Sequence, residues 1–242
     1  MPAARVILDQ LQIVESERRQ RSDVAGLDSK VWLIKQYQQR RFSHTYADLL
    51  QSPRYGPAAR FFLEELYGPA DFSQRDAQFA RVVPALVRLF PAAIVDTVAT
   101  LARLHALSEQ LDTRMGRNLA VGAVDAAGYV LAWQATGGAL EREQQIVLTL
   151  HVAASLDRLT RKPLLRNTLR LMRGTAKAAG LGDLQRFLEA GFDTFRSMRG
   201  AQQFIELVGE RERALAHALF HTDTRGQTIE KTLNLLPSDD IA

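Results

Sequence analysis

PAARFFLEELYGPADFSQRDAQFARVVPALVRLFP, from Pro57 to Pro91, decides the fold class. Its apolar residues recur at helical intervals, and no run alternates apolar and polar residues over the length of a strand. The punctuation marks two helices. Pro57 suits a first helical position, where its missing N–H costs nothing. Gly68 then Pro69 closes that helix, one by admitting a left-handed residue and the other by refusing to continue. Ser73 and Asp76 have capping-box spacing and open the next helix. Pro84 falls inside its apolar pattern, which predicts a kink near Arg81 to Val83. Phe90-Pro91 ends it.

Outward from this stretch the same period continues. It predicts helices at about 3–21, 29–51, 57–67, 73–90, 92–116, 122–136, 140–161, 163–180, 182–199 and 201–220. Gly180, Gly182, Gly191 and Gly200 divide the last third into short helices, and the short connections predict antiparallel neighbours. The expectation is an all-α, compact multi-helical domain of about ten helices without a sheet, over residues 1–220. A subdomain seam is expected near 116–122, between Gly116 and Gly122. Residues 221–242 read as a polar tail, poorly ordered unless it docks.

Several of these residues carry a family resemblance. Phe61 to Tyr67 spell FFLEELY, GPADFSQRDAQF follows, and LLRNTLRLMRGTAKAAGLGDLQRFLEAGFDTFRSMRGAQQF runs from Leu164 to Phe204. The chain resembles the bacterial FFLEELY motif proteins over roughly 41–220. The resemblance implies one fold unit. It brings no activity, cofactor or residue role with it.

Composition removes whole classes of chemistry. The 242 residues contain no cysteine, which excludes disulfides, thiolate zinc sites, thiolate-held iron–sulfur clusters and a cysteine nucleophile. Val6 to Val14 is interrupted by Asp9, Gln10 and Gln12, so a signal core is not expected, and no run reaches about 20 apolar residues. The cytoplasm is the expected compartment. The formal charge is +4 and is carried mainly by arginine, a weak pointer to anionic partners. The GxxxxGK[ST], GxGxxG and GxSxG signatures are absent. No glutamate has histidine three residues on, against a di-iron bundle.

Three groups of residues remain as site candidates. Arg166, Arg170, Arg173 and Lys177 share a helical stripe about 60° wide, preceded by Arg158, Arg161 and Lys162. They predict an anion-contacting face for an acidic protein or other polyanion, nucleic acid being less favoured; the competing reading is a solvated face paired to acids such as Glu64 and Glu65. A helix-turn-helix built on Ala176 and Gly180 fails, because Arg186 occupies a position that must be apolar and the second helix is too apolar for a groove. His105 continues the apolar face of Ile94, Val98 and Leu101, with Glu109 one turn on to hold its imidazolium. Together with Tyr129 and Trp133, one turn apart, it forms a candidate pocket; the competing and favoured reading of that pair is plain packing. His217 and His221 stand at i, i+4 before Asp223, but without the glutamate of a zinc protease, so no metal is expected there. Asp71 and Asp76 read as helix N-terminal charges. Phe61, Phe62, Leu66, Phe72, Phe79, Phe90, Phe187, Phe192 and Phe195 read as core.

Three functions follow as expectations. First is an interaction or regulatory protein without chemistry, using the basic face. Second is a binder of a small apolar or anionic ligand between helices. Third is an enzyme whose site assembles from scattered residues such as Arg41, His44, Asp76, Arg81 and His105. No cofactor is implied.

Overall fold

A computed structural model describes residues 2–65, 72–120, 124–222 and 235–237. The described residues form eleven helices and no strand. They are α1 (Pro2–Ser22), α2 (Leu27–Thr45), α3 (Ala47–Gln51), α4 (Gly56–Glu65), α5 (Ser73–Leu89), α6 (Ala92–Asn118), α7 (Ala126–Thr136), α8 (Ala139–Thr160), α9 (Pro163–Ala178), α10 (Gly182–Ser197) and α11 (Gln202–His221).

α6 is the axis of the molecule. Its 27 residues span about 40 Å at 1.5 Å each, and α1, α2, α7 and α8 all pack on it. Gly116 lies inside α6 rather than opening a seam: a Cβ there would stand 2.7 Å from Val31 Cγ2, so the missing side chain is what lets α2 approach. Leu119 and Val124 then enter one core cluster with Ile34, Tyr37 and Tyr129. Residues 121–123, including Gly122, lie outside the described residues. α7 starts four residues later than expected because Asp125 caps it, its side chain accepting from the Gly128 N–H at 2.6 Å.

The helix expected at 29–51 is two. The chain breaks at Tyr46 (φ −116°, ψ 25°), whose fully buried ring carries its hydroxyl to within 2.7 Å of Glu212 Oε1 on α11. Arg211 fixes the next turn by donating to the Thr45 carbonyl and to both oxygens of Asp48. Tertiary hydrogen bonds here override a locally continuous helical pattern.

α5 stays helical through Pro84. Its N-cap is Phe72, without a side-chain cap bond, so the expected capping box is not used. Asp76 has turned away to partners described below. Leu66, Tyr67, Gly68, Pro69 and Asp71 lie outside the described residues. α9 and α10 form a helical hairpin: Gly180 (φ 71°) takes the left-handed position, and the Leu181 N–H reaches the Ala176 carbonyl at 2.8 Å. Phe192 and Phe195 of α10 are buried, so this helix faces the core rather than a groove in nucleic acid. Past α11, Leu236 is 2% exposed and docks into the cluster around Tyr129, so part of the tail is held. The described helices include none long and apolar enough to cross a membrane.

Candidate functional site: a graded cavity along the central helix

α6 presents Val98, Leu101, His105, Ser108, Glu109 and Asp112 to a cavity of about 250 Å³. That is more than the roughly 150 Å³ that admits a benzene molecule. The lining follows α6 from Val98 to Asp112, about 21 Å of helix.

Two helices grade in the same sense along it. α6 runs from apolar Val98 and Leu101 to polar Asp112. α8 lies antiparallel, since Gln145 Nε2 donates to Ser108 Oγ at 2.8 Å and Arg114 forks onto Glu141 at 2.8 and 3.1 Å. It runs from Arg142 and Gln145 to Leu150 and Ala153. α11, tied to α8 by Arg213 and Glu143 at 2.9 Å, runs from Glu212 back to Val208 and Phe204. α2 and α7 supply Lys35, Gln38, Arg41, Tyr129 and Trp133 at the polar end; α5 and α10 supply Phe79, Leu184 and Phe187 at the other end, where a charged group, the Arg75 guanidinium, lies 4.4 Å from the Phe187 ring centroid.

The polar end is a buried charge network. Glu109, 4% exposed, lies 2.5 Å from Arg21 and 2.6 Å from Lys35 Nζ. Burial alone would raise its pKa, but Lys35 and Arg21 outweigh that and hold it at about 2. Asp112, one turn on, accepts from Gln38 Nε2 at 3.1 Å. There burial prevails over the attraction of Lys35, the Glu109 charge adds to it, and the carboxyl is pushed up. Arg41 lies 2.5 Å from Glu212. Tyr129 stacks on Tyr37 with centroids 4.6 Å apart, and burial raises its pKa. The Arg142 guanidinium sits 4.0 Å from the centroid of the Trp133 ring. Trp133 is 9% exposed, and its buried Nε1–H has no acceptor among the described residues. Such a donor costs free energy until something accepts from it.

His105, Tyr129 and Trp133, grouped from sequence, all line this cavity. The acid holding His105 is not Glu109. His105 Nε2 stands 3.0 Å from Asp76 Oδ2, and Arg18 donates to the same oxygen at 2.7 Å. Burial would raise Asp76, yet His105 and Arg18 hold its carboxyl below the usual range. Asp76 is therefore a half-buried partner across helices rather than a helix-terminal charge. Arg41 also lines the cavity, whereas His44 and Arg81 are exposed and do not.

Lys35, Arg142 and Glu212 were missed. The readable signal was a charge in an apolar register: Arg142 precedes Ile146, Leu150 and Ala153 at steps of four, four and three residues, and Glu212 follows Phe204 and Val208 at steps of four.

The basic stripe on α9 is partly neutralised, by acids of α10 rather than by Glu64; the Glu65 side chain lies outside what the structure describes. Arg166 forks onto Asp193 at 2.7 and 3.1 Å, and Arg173 onto Glu189, both acids on α10. Arg161 pairs with Asp157 at 2.6 Å. Arg158, Lys162, Arg170 and Lys177 form no ion pair among the described residues. At the end of α11, His217 and His221 stack ring on ring at 4.1 Å, and His221 Nδ1–H donates to the His217 carbonyl. Asp223 lies outside the described residues, among which no group of three or more histidine and acid side chains could hold a metal ion.

No curated protein and no solved structure matches the chain significantly. A family model described as a domain of unknown function matches residues 17–226, which contain all of the cavity lining except Leu11. With that share of its length covered, the chain belongs to the DUF8198 family.

Proposed function

We propose that this protein binds a small, largely apolar molecule inside the helical domain, in the cavity along α6. The observation that carries the reading is Trp133: a buried indole donor without an acceptor among the described residues, on the wall of a cavity large enough to admit one. The apolar wall of such a cavity gains dispersion contacts when an apolar molecule lies against it. The interaction reading rests on the α9 face, whose strongest pairings are already made within the α9–α10 hairpin.

The cavity has its own reporter. The chain has two tryptophans, Trp133 on the wall and Trp32 exposed to 47%. In a Trp32→Phe variant, titration with decanol is expected to shift Trp133 emission saturably. Unchanged emission across decanol and shorter and longer alkanols counts against an apolar site beside Trp133.

One observation favours a second reading, in which the bound molecule is also transformed. His105 stands on the cavity wall with the Asp76 carboxylate at its Nε2, a histidine–carboxylate pair of the kind that serves in general acid–base catalysis. Molecules extracted from the wild-type protein and from His105→Ala would then differ in chemical structure; identical extracts support binding alone.

A further inference from the structure

The ligand's polarity can be taken one step further, resting on the cavity reading above. We infer that the cavity takes an extended chain amphiphile with a carboxylate head, the head at Trp133 and Arg142 and the chain along Val98 to Leu101 of α6.

The orientation follows from the grading. α6 and α8 each pass from polar to apolar side chains toward the same end of the cavity, α11 places Glu212 toward the polar end, and α2 and α7 close that end. An apolar molecule without a head would leave the polar end unmatched, and a polar molecule would leave the other end unmatched. A lining that extends along about 21 Å of α6 accommodates an extended chain.

The head must accept, not donate. Trp133 Nε1–H is a donor only, and so is the Arg142 guanidinium that lies over its ring. Both suit a carboxylate, which is acceptor-only when ionised. Charge chemistry points the same way: a guanidinium donates charge-assisted hydrogen bonds, so Arg142 on the cavity wall favours an anionic head over a neutral one and disfavours a cationic one.

The test reads the indole directly. Uniformly 15N-labelled protein has two indole N–H correlations, and the Trp32→Phe variant assigns them. Decanoate, decanol and decylammonium are added separately below their micelle concentrations. Decanoate is expected to bind about tenfold or more tightly than decanol and to move the Trp133 Nε1–H signal downfield while Trp32 stays in place. Decylammonium is expected to bind weakest. In Trp133→Phe, which keeps a ring but loses the donor, the preference for decanoate over decanol is expected to fall several-fold. Equal binding of decanol and decanoate, or decanoate binding with the Trp133 signal unmoved, overturns the carboxylate head and leaves the cavity reading standing. Failure of all three to bind overturns both.

Discussion

Glu109→Gln removes the acid at the centre of the buried network, and the structure sets both the size and the pH dependence of its effect. The carboxylate lies 2.5 Å from Arg21 and 2.6 Å from Lys35 and is held at about 2 against the usual 4.5. A depressed carboxylate contributes stability that is fully present above the unfolded value and is lost as pH falls toward the folded one. A shift of that size corresponds to about 3 kcal/mol, to order of magnitude. The amide leaves Arg21, 4% exposed, without its counter-charge, so the loss at pH 7 is expected at about 3–5 kcal/mol. Lys35 is 20% exposed and can still reach water, which places the value toward the lower end. Asp112 titrates in the opposite sense, because burial raises it and its ionisation removes stability as pH rises. The clean comparison is therefore Asp112→Asn with and without Glu109→Gln, by urea unfolding at pH 7, 4.5 and 3. The Glu109 background should lose stability from pH 4.5 to 3, and the Gln background should lose less. Equal acid slopes in the two backgrounds, or an unchanged midpoint for Glu109→Gln at pH 7, would refute the reasoning.

Four further outcomes follow from packing and charge. Gly116→Ala places a Cβ 2.7 Å from Val31 Cγ2 and 3.1 Å from Leu27 Cδ1, and should lower urea stability by about 1–3 kcal/mol. Gly174→Ala, in exposed helix with nothing within 4 Å of the new Cβ, should raise it by about 0.5–1 kcal/mol in the same assay. Ala153→Leu, which costs about 1–3 kcal/mol in a filled core, should stay within about 1 kcal/mol of wild type in calorimetry, because its side chain enters the cavity. Arg173→Ala should shift stability by less than about 1 kcal/mol despite its fork onto Glu189, since the arginine is 62% exposed, and added salt should shrink even that difference.

The fold was legible because nearly every helix announces itself twice, by period and by punctuation. Pro163 opens α9 and Gly180 closes it, each at the position its backbone chemistry requires. Where reading failed, a long-range contact had overruled the local pattern. Tyr46 breaks a continuous helical run to reach Glu212, 166 residues away. Asp76 has the spacing of a cap but is taken by Arg18 and His105, each on another helix. Glu109 was matched to the histidine one turn away because neither Arg21 nor Lys35 can be placed beside it from sequence. The pocket trio of His105, Tyr129 and Trp133 was legible because residues on an apolar stripe with polar tips must meet something inside. The same rule, applied to Arg142 and Glu212, would have found the rest of the polar end. The acids that meet the α9 arginines were not legible, since periodicity does not say which helix lies alongside.

The central claim is that the cavity along α6 holds a small molecule. It is tested most directly by native mass spectrometry of freshly purified wild type beside Ala153→Leu, each also measured denatured after incubation with decanoate. The account predicts an excess mass on native wild type that vanishes on denaturation and is reduced or absent in the filled variant. Native wild type without excess mass, or an excess equally retained by Ala153→Leu, would contradict it.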